Sequence, residues 1–227
     1  MAFLLPLCQV AGAALPARTF EDALDVREAL ADGSVTNAAQ LVDWFAGHLA
    51  EWLSPIEARG VLSAQSLVRV WRAAGRSPQD MEGDIGHRLK ALDKRLFDAE
   101  QSARGREARL TAGGRYLQIA LKRYPLAGLS AYEGWVMDGV CGGHPAVVHG
   151  WVCAYLRVDE RTAVHMYLSA VAQYSVQAAV ADGVIGSREA LSALGPIASQ
   201  LERFVDASLS LDALDAHDGL LVLAPTT

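Results

Sequence analysis

Three side chains that could bind a metal lie close together in the second half of the chain. Cys141 and His144 are separated by two residues, and His149 follows about one helical turn later. Thiolate and imidazole are the usual protein ligands of zinc, nickel and copper. His144 precedes Pro145 at a predicted helix start, whereas His149 lies inside that helix, so the side chains need not converge, and a fourth ligand is not evident. We favour packing at the helix start; the alternative is a small helical metal-binding protein or enzyme that uses these three residues.

Other patterns of catalytic chemistry are missing from the sequence. It contains no Gly-x-Ser-x-Gly nucleophile elbow, no Gly-x-x-x-x-Gly-Lys-Ser/Thr loop and no Gly-x-Gly-x-x-Gly fingerprint. Acidic pairs such as Glu21 with Asp22, or Asp212 with Asp215, are typical of solubilising helix surfaces. We therefore predict a protein that is not an enzyme, has no catalytic, cofactor-binding or metal-binding residue of its own, and works through its surfaces.

Composition and charge narrow the range of partners. Of the 227 residues, 52% are hydrophobic but only 7% are aromatic, and the formal net charge is −6. That charge argues against a nucleic-acid partner. One segment carries four arginines interleaved with Glu100 and Glu107, which is typical of a solvated helix face; the alternative is a docking site for an acidic partner. These arginines are Arg104, Arg106, Arg109 and Arg115.

The cysteines and the N-terminal segment indicate the compartment. Cys8, Cys141 and Cys153 show no short paired spacing, which suits a reducing environment. No basic residue precedes the first apolar run and Pro6 interrupts it, so a signal peptide is not expected. The apolar stretches are shorter than the roughly 18 residues that a membrane-spanning helix needs. We predict a cytoplasmic protein that does not contact a membrane.

Helical periodicity extends along most of the sequence, and no strand alternation is sustained. The whole chain, 1–227, is predicted to form a single all-α domain of roughly eight to ten helices, with an apolar N-terminal arm at 1–17 and a C-terminal tail at 207–227. Caps, glycines and prolines predict helices at 20–31, from Thr36 or Asn37 to Pro55, at 56–74, from Ser77-Pro78 onward and, after a break at 98–105, up to Tyr124-Pro125.

Two helices of the second half carry unusual residues. Gly150 lies inside the helix that begins at Pro145, where glycine costs about 1 kcal/mol relative to alanine, so another backbone is expected to approach it closely. The next helix, 160–181, is apolar nearly all round, as a central buried helix should be, except for a polar stripe at four-residue spacing. The stripe comprises Arg161, His165, Ser169, Gln173 and Gln177. We favour a solvent edge or a hydrogen-bonded seam between helices for this stripe, and a water-filled passage is the alternative.

The order of these features resembles the UreF family of urease accessory proteins. The second half of that family has a His-Pro-x-Val-x-x-Gly helix, a helix ending in Ala-Ala-Val, and a glycine turn. The matching residues here are His144, Pro145, Val147, Gly150, Ala178, Ala179, Val180, Gly183 and Gly186. Further matches to family positions are Leu15, Pro16 and Phe20 near the start, Arg106, Glu107 and Gly113 in the middle, and His217 near the end. The resemblance covers nearly the whole chain.

The resemblance implies a UreF-like helical fold and a role without catalysis. UreF proteins are typically dimers that bridge the accessory protein UreD (also called UreH) to the GTPase UreG and assist GTP-dependent nickel insertion into apo-urease. Nickel and GTP are then handled by the partners, and a passage along the polar stripe would suit an internal nickel tunnel. The positions expected at a partner interface are Phe20, Glu28, Gly183, Gly186, Ser187 and His217. The positions expected to be structural are Pro16, Arg106, Gly113, His144, Pro145, Gly150, Ala178 and Ala179.

The chain departs from the family pattern where a partner would touch it. Arg18 and Thr19 stand in place of a glycine pair, Arg27 in place of an acid, and Ala181 in place of the arginine after Ala-Ala-Val. Ser187 replaces a glutamine but is a good N-cap for the helix that follows. The apolar ending LLVLAPTT is expected to pack on a partner or a second copy rather than on this chain. These departures predict a divergent member; the alternative is a UreF-fold protein that serves other partners.

Overall fold

The described part of the chain is helical throughout. The computed structural model describes residues 26–75, 77, 83–123 and 128–215, with the side chains of the last helix described to residue 210. Its segments are α1 (Val26–Ala31), α2 (Ala38–His48), a π-helical segment (Leu49–Ala58), α3 (Arg59–Ala73), α4 (Asp84–Ala99), α5 (Ala103–Arg123), α6 (Leu129–Met137), α7 (Pro145–Tyr155), α8 (Glu160–Ala181) and α9 (Ser187–Asp215). Because α2, the π segment and α3 are continuous, these residues form eight helices and no strand, which confirms the predicted all-α class.

Helix α8 lies at the centre of the packing. It contacts α1, α2, the π segment, α3, α7 and α9, as its apolar surface predicts. α7 packs mainly on α3 and α5, and it is buried along most of its length. The buried apolar side chains of the described residues form one cluster, which includes Phe45, Tyr132 and Trp151. α8 and α7 are therefore the elements against which the others are positioned.

Pro55 does not end a helix, and that prediction is wrong. The chain runs from Ala38 to Ala73 without a break, and half-buried Pro55 lies inside the π segment. A proline disrupts an α-helix because it lacks an N–H group and its ring clashes with the carbonyl four residues earlier. In a π-helix the hydrogen bonds connect to the fifth residue back, so the wider turn accommodates the ring.

Two glycines let helices approach more closely than any side chain would allow. A methyl group added at Gly150 would lie 2.4 Å from the carbonyl oxygen of Val61, which confirms the predicted close approach of another backbone. A methyl group at Gly113 would lie 1.7 Å from the carbonyl oxygen of Gly143. Real Cβ atoms do not approach other atoms so closely, so both positions require glycine. The two contacts place α7 directly against α3 and the loop before α7 directly against α5.

The ends of the chain differ from the predicted outline. The predicted tail at 207–227 is helical in its first part, because α9 continues to Asp215. The predicted break at 98–105 is confirmed as a short connection between Ala99 and Ala103. The predicted arm at 1–17, with Cys8 and Pro16, lies outside the described residues, as do Arg18, Thr19, Phe20 and His217.

Candidate partner surface

Helix α1 is a six-residue helix held against the C-terminal end of α8. Its Val26 is buried, whereas Glu28 is exposed. Arg27 reaches from α1 to α8: its Nε donates to the hydroxyl of Tyr174 at 3.2 Å, and its Nη1 lies 3.4 Å from Oδ1 of Asp182. Arg27, which the resemblance marked as a departure from the family pattern, therefore connects α1 with the end of α8.

The turn between α8 and α9 contains the two glycines that the resemblance singles out. Gly183 has a φ of +72°, the left-handed conformation with which glycine commonly closes a helix C-terminus. The Gly186 N–H donates to Oε2 of Glu189 at 2.7 Å, and its carbonyl accepts the first hydrogen bond of α9. Gly186 is thus the N-cap, and the prediction that Ser187 caps α9 is wrong, because Glu189 folds back on the residue before Ser187.

Helix α1 and the α8–α9 turn together form one exposed surface. Arg27 connects them through Asp182, and Nη1 of Arg104 on α5 lies 3.4 Å from Oε1 of Glu28. We call this the α1–turn surface, which comprises Arg27, Glu28, Arg104, Asp182, Gly183, Gly186 and Ser187. Ion pairs this exposed contribute about 0–1 kcal/mol, so a partner could replace them at little cost.

Four of the six positions predicted at an interface lie on the α1–turn surface, namely Glu28, Gly183, Gly186 and Ser187. The other two, Phe20 and His217, lie outside the described residues. Leu191, one turn into α9, is 72% exposed, so an apolar side chain follows directly after the turn. The surface therefore combines charged groups, exposed backbone and an apolar side chain.

The polar stripe of α8 lies at a solvent-exposed edge beside α9. Arg161 is exposed and pairs with Glu202 of α9 at 2.5 Å, and Nε2 of His165 lies 3.2 Å from the same carboxylate. The last two residues of the stripe, Gln173 and Gln177, are also exposed. The solvent-edge interpretation is confirmed, because among the described residues this stripe faces solvent.

The side chains of the candidate metal site are used in packing. Nδ1 of His149 lies 2.8 Å from the hydroxyl of Tyr116, and its Nε2 lies 3.0 Å from the carbonyl oxygen of Ala163, so both ring nitrogens have partners. Burial lowers the pKa of His149 to about 4, which keeps the ring neutral near pH 7. His149 is therefore an internal link between α5, α7 and α8.

His144 and Cys141 have local structural surroundings as well. Nδ1 of His144 accepts the N–H of Ala146 at 3.2 Å, so His144 is the N-cap of α7, with Pro145 as its first residue. Burial lowers the pKa of His144 to about 4 and raises that of Cys141 to about 12. Within the described residues, no three His, Cys, Asp or Glu side chains form a group that could hold a metal ion. The structure thus uses these residues in packing at the helix start and does not bring the three of them together as a group.

A buried ion network lies where α5 meets the π segment. Nε of Arg109 donates to Oε1 of Glu57 at 2.9 Å, and its Nη1 pairs with Glu100. Glu57 also accepts from the Tyr167 hydroxyl at 2.9 Å and from Nε1 of Trp52 at 3.0 Å. Burial alone would raise the pKa of Glu57, but the charge of Arg109 and these hydrogen bonds hold it at about 2. The network joins three helical elements through one carboxylate.

The position of Arg109 corrects the predicted solvated face. Its side chain is 1% exposed, whereas Arg104, Arg106 and Arg115 are exposed as predicted. Arg109 falls in a series of buried positions on α5 at three- and four-residue spacing: Gly105, Arg109, Ala112, Tyr116 and Ala120. The spacing could have revealed a buried arginine, which needs an acidic partner from another element.

Three further positions of the resemblance, Arg106, Ala178 and Ala179, lie in packed or supporting places. Nη1 of exposed Arg106 donates to the carbonyl of Glu100 at 2.8 Å and so supports the connection before α5. Ala178 and Ala179 are buried in the last turns of α8. Across the described residues, no helix has both the length and the apolar character needed to cross a membrane.

Known proteins resemble this chain over most of its length. The UreF family model matches residues 35–195, from just before α2 into α9. The urease accessory protein UreF of Corynebacterium glutamicum (strain R) is 24% identical over 213 residues, which are 94% of this chain and 87% of that relative. The urease accessory protein UreF of Paenarthrobacter aurescens (strain TC1) is 32% identical over 130 residues, which are 54% of this chain and 58% of that relative. The matched region includes the α8–α9 turn, whereas α1 precedes it.

Proposed function

The chain belongs to the UreF family of urease accessory proteins, and on that premise we propose that it assists nickel insertion into apo-urease without catalysis. In this proposal it bridges a UreD/UreH-like accessory protein and a UreG-like GTPase. This sequence has no phosphate-binding loop of its own, so we assign the binding of GTP to the GTPase. Nickel is likewise handled by the partner proteins, and the assembly acts in the cytoplasm.

The observation that best supports this proposal is the α1–turn surface. Glu28 and the Gly183–Ser187 turn are far apart in sequence, yet the Arg27 to Asp182 pair brings their elements together at one end of α8. The surface presents exposed charges of both signs, and Leu191 adds an apolar side chain that a partner could cover. A bridging protein requires such an exposed, mixed surface, whereas an enzyme would require a pocket with converging reactive groups.

A dimer within the complex is part of the same proposal. The C-terminal ending from 216 to 227 is rich in apolar residues and carries little charge, so in water it favours contact with another apolar surface. We assign that contact to a second copy of this chain or to a partner protein.

The test is co-expression with the UreD-like and UreG-like proteins of the same organism, followed by size-exclusion chromatography with light scattering. The wild-type chain is expected to elute with both partners. A variant with Glu28→Arg and Leu191→Asp should lose at least one of these partners. The first substitution reverses the charge at position 28, and the second places a charge at the apolar position 191. Asp43→Arg is the matched control: it reverses an exposed charge on α2, which contributes no residue to the α1–turn surface, and should retain both partners.

Elution of the wild-type chain alone would refute the bridging role. It would favour the alternative of a UreF-fold protein that serves other partners. A joint peak that the paired substitution leaves intact would retain the accessory role but remove the α1–turn surface from it. Urease activity in cells supplied with nickel gives the corresponding functional measurement, with Asp43→Arg again as the control.

A further inference from the structure

A cleft lined by arginines opens between the C-terminal ends of α3 and α7. Its volume is about 310 Å³, and its lining residues are Arg69, Arg72, Ala73, Ala154 and Arg157. Three cations thus line one small site, with the carboxylates of Glu160 and Asp159 beside Arg69, in a chain whose formal net charge is −6. None of these arginines belongs to the α1–turn surface or to the buried network.

Two of the arginines are held in place by the end of α7. Nη1 of Arg72 donates to the carbonyls of Ala154 at 2.8 Å and Tyr155 at 3.0 Å, and its guanidinium lies 4.3 Å from the centre of the Tyr155 ring. Arg69 donates to the carbonyl of Val158 and pairs with the carboxylate of Glu160. These bonds orient both guanidinium groups before any ligand binds, and they show that a carboxylate is accepted beside Arg69.

Arg157 occupies a backbone conformation that favours glycine. Its φ is +57°, and it alone among the described non-glycine residues has a positive φ. The N–H of Arg157 donates to the carbonyl of Ala154 and the N–H of Val158 to that of Cys153, the hydrogen bonds with which a left-handed residue closes a helix. A residue with a Cβ atom is strained here, and glycine is not.

Among the described residues, the side chain of Arg157 has no polar partner that would offset this strain. It is exposed, and it forms no hydrogen bond or ion pair with the described residues. Strained backbone conformations cluster at binding and switch sites, where the side chain is needed in that position. The unused guanidinium beside two oriented ones is therefore best explained by a ligand from outside the chain.

We propose that this cleft binds the carboxylates of an acidic segment in a protein partner. The planar guanidinium fork matches a carboxylate in two parallel hydrogen bonds. Val70 is 56% exposed and lies three residues before Ala73 of the cleft lining, so on α3 an apolar side chain borders the cleft, which a protein segment would use and a free anion would not. The net charge of −6 disfavours a nucleic acid, because its phosphates would extend beyond this small cleft over an acidic chain, whereas a short acidic segment places its charges only beside the arginines.

The cleft is separate from the α1–turn surface. Glu160, which pairs with Arg69, is the first residue of α8, whereas Asp182 follows the last residue of that helix. A helix of 22 residues is about 33 Å long. The acidic segment therefore binds at the opposite end of α8 from the surface proposed for urease maturation.

The test uses the purified full-length chain and a fluorescein-labelled peptide, Glu-Leu-Glu-Glu-Leu-Glu, in fluorescence anisotropy at low salt. The matched peptide has every Glu replaced by Gln. Wild-type protein is expected to bind the acidic peptide in preference to the neutral one. Arg157→Gly should weaken that binding about tenfold, because one charged contact is lost. The control Arg203→Ala removes an exposed cation from α9 and should leave the affinity unchanged.

The substitution Arg157→Gly separates binding from folding. Because it relieves the backbone strain, its thermal unfolding midpoint should equal or exceed that of the wild type. Equal binding of the two peptides, or an equal loss in Arg203→Ala, would overturn the proposal. Tighter, Arg157-dependent binding of a single-stranded oligonucleotide would overturn it in favour of a nucleic acid. No urease component is present in the assay, so its failure leaves the bridging proposal standing.

Discussion

Removing Arg109 should destabilise the fold far more than removing an exposed arginine of the same helix. Arg109→Met keeps much of the side-chain volume but leaves Glu57 and Glu100 without their cation, and these carboxylate side chains are only 4% and 8% exposed. Breaking a buried ion pair from one side costs about 3–5 kcal/mol, because the remaining charge is buried and uncompensated. Domains are typically stable by about 5–15 kcal/mol, so the substitution removes a large part of the free energy of unfolding.

The pH dependence distinguishes lost charge from lost packing. The folded-state pKa of Glu57 is about 2, below its ordinary value of 4.5, so its contribution to stability is present above pH 4.5 and lost as the pH falls toward 2. Without Arg109, burial dominates and raises the pKa of Glu57 above the ordinary value. The variant should therefore be most deficient near pH 7 and should approach the wild type at about pH 5, as the carboxyl becomes protonated.

Urea unfolding followed by tryptophan fluorescence measures both effects. Trp52 is a local reporter, because its ring centre lies 4.8 Å from the Arg109 guanidinium and its indole N–H donates to Glu57. Arg115→Met on the same helix is the control, since Arg115 is exposed. The reasoning is refuted if the two variants lose similar stability, or if the deficit of Arg109→Met is the same at both pH values. Glu57→Gln combined with Arg109→Met should recover part of the loss, since it removes the unpaired charge.

Two further results are expected. Gly113→Ala should lower the free energy of unfolding by about 3 kcal/mol or prevent folding, because the added methyl would lie 1.7 Å from the carbonyl oxygen of Gly143. Gly114→Ala, whose methyl would meet nothing within 4 Å, should raise the free energy of unfolding by up to about 1 kcal/mol. Thermal unfolding measures both effects. Equal effects at these neighbouring glycines would contradict the close approach. Burial places the folded-state pKa of His149 at about 4, below the ordinary 6.5. The stability of the wild type should therefore fall as the pH falls from 6.5 to 4. The contribution of this group to the fall is up to about 1.4 kcal/mol per pH unit. His149→Gln should show a shallower fall in its urea midpoint, and parallel profiles would exclude this role.

Features that depend on neighbours in sequence could be predicted. The start of α7 follows from Pro145 after a capping His144, and the close approach at Gly150 follows from a glycine kept inside a helix. The solvent edge of α8 follows from polar residues at four-residue spacing. Each of these depends on helix geometry alone, which a single sequence specifies locally.

Features that depend on distant parts of the chain were not predictable in the same way. Arg109 and Glu57 are 52 residues apart, and neither carries a local sign of the other. The continuous helix through Pro55 requires a change in hydrogen-bond register that tertiary packing stabilises. Arg157 could not be recognised as left-handed, because positive φ is predictable mainly where glycine occurs.

The candidate surface depended on two kinds of information. The resemblance to the UreF family singled out Glu28 and the Gly183–Ser187 turn, but periodicity alone gave neither of them a role. Their juxtaposition rests on Arg27 and Asp182, which are 155 residues apart. Arg27, which the resemblance marked as a departure from the family pattern, is therefore one of the contacts between α1 and the end of α8.

Helix α8 relates the two surfaces to each other and to the core. Its first residue, Glu160, borders the arginine cleft, and the residue after its last turn, Asp182, belongs to the α1–turn surface. Between them, Tyr167 donates to Glu57, so the buried network is anchored on the same helix. Because α8 contacts six other segments, it cannot bend or rotate without disturbing the core. The two surfaces thus lie at opposite ends of a helix about 33 Å long, so the partners proposed for them would not compete for the same residues.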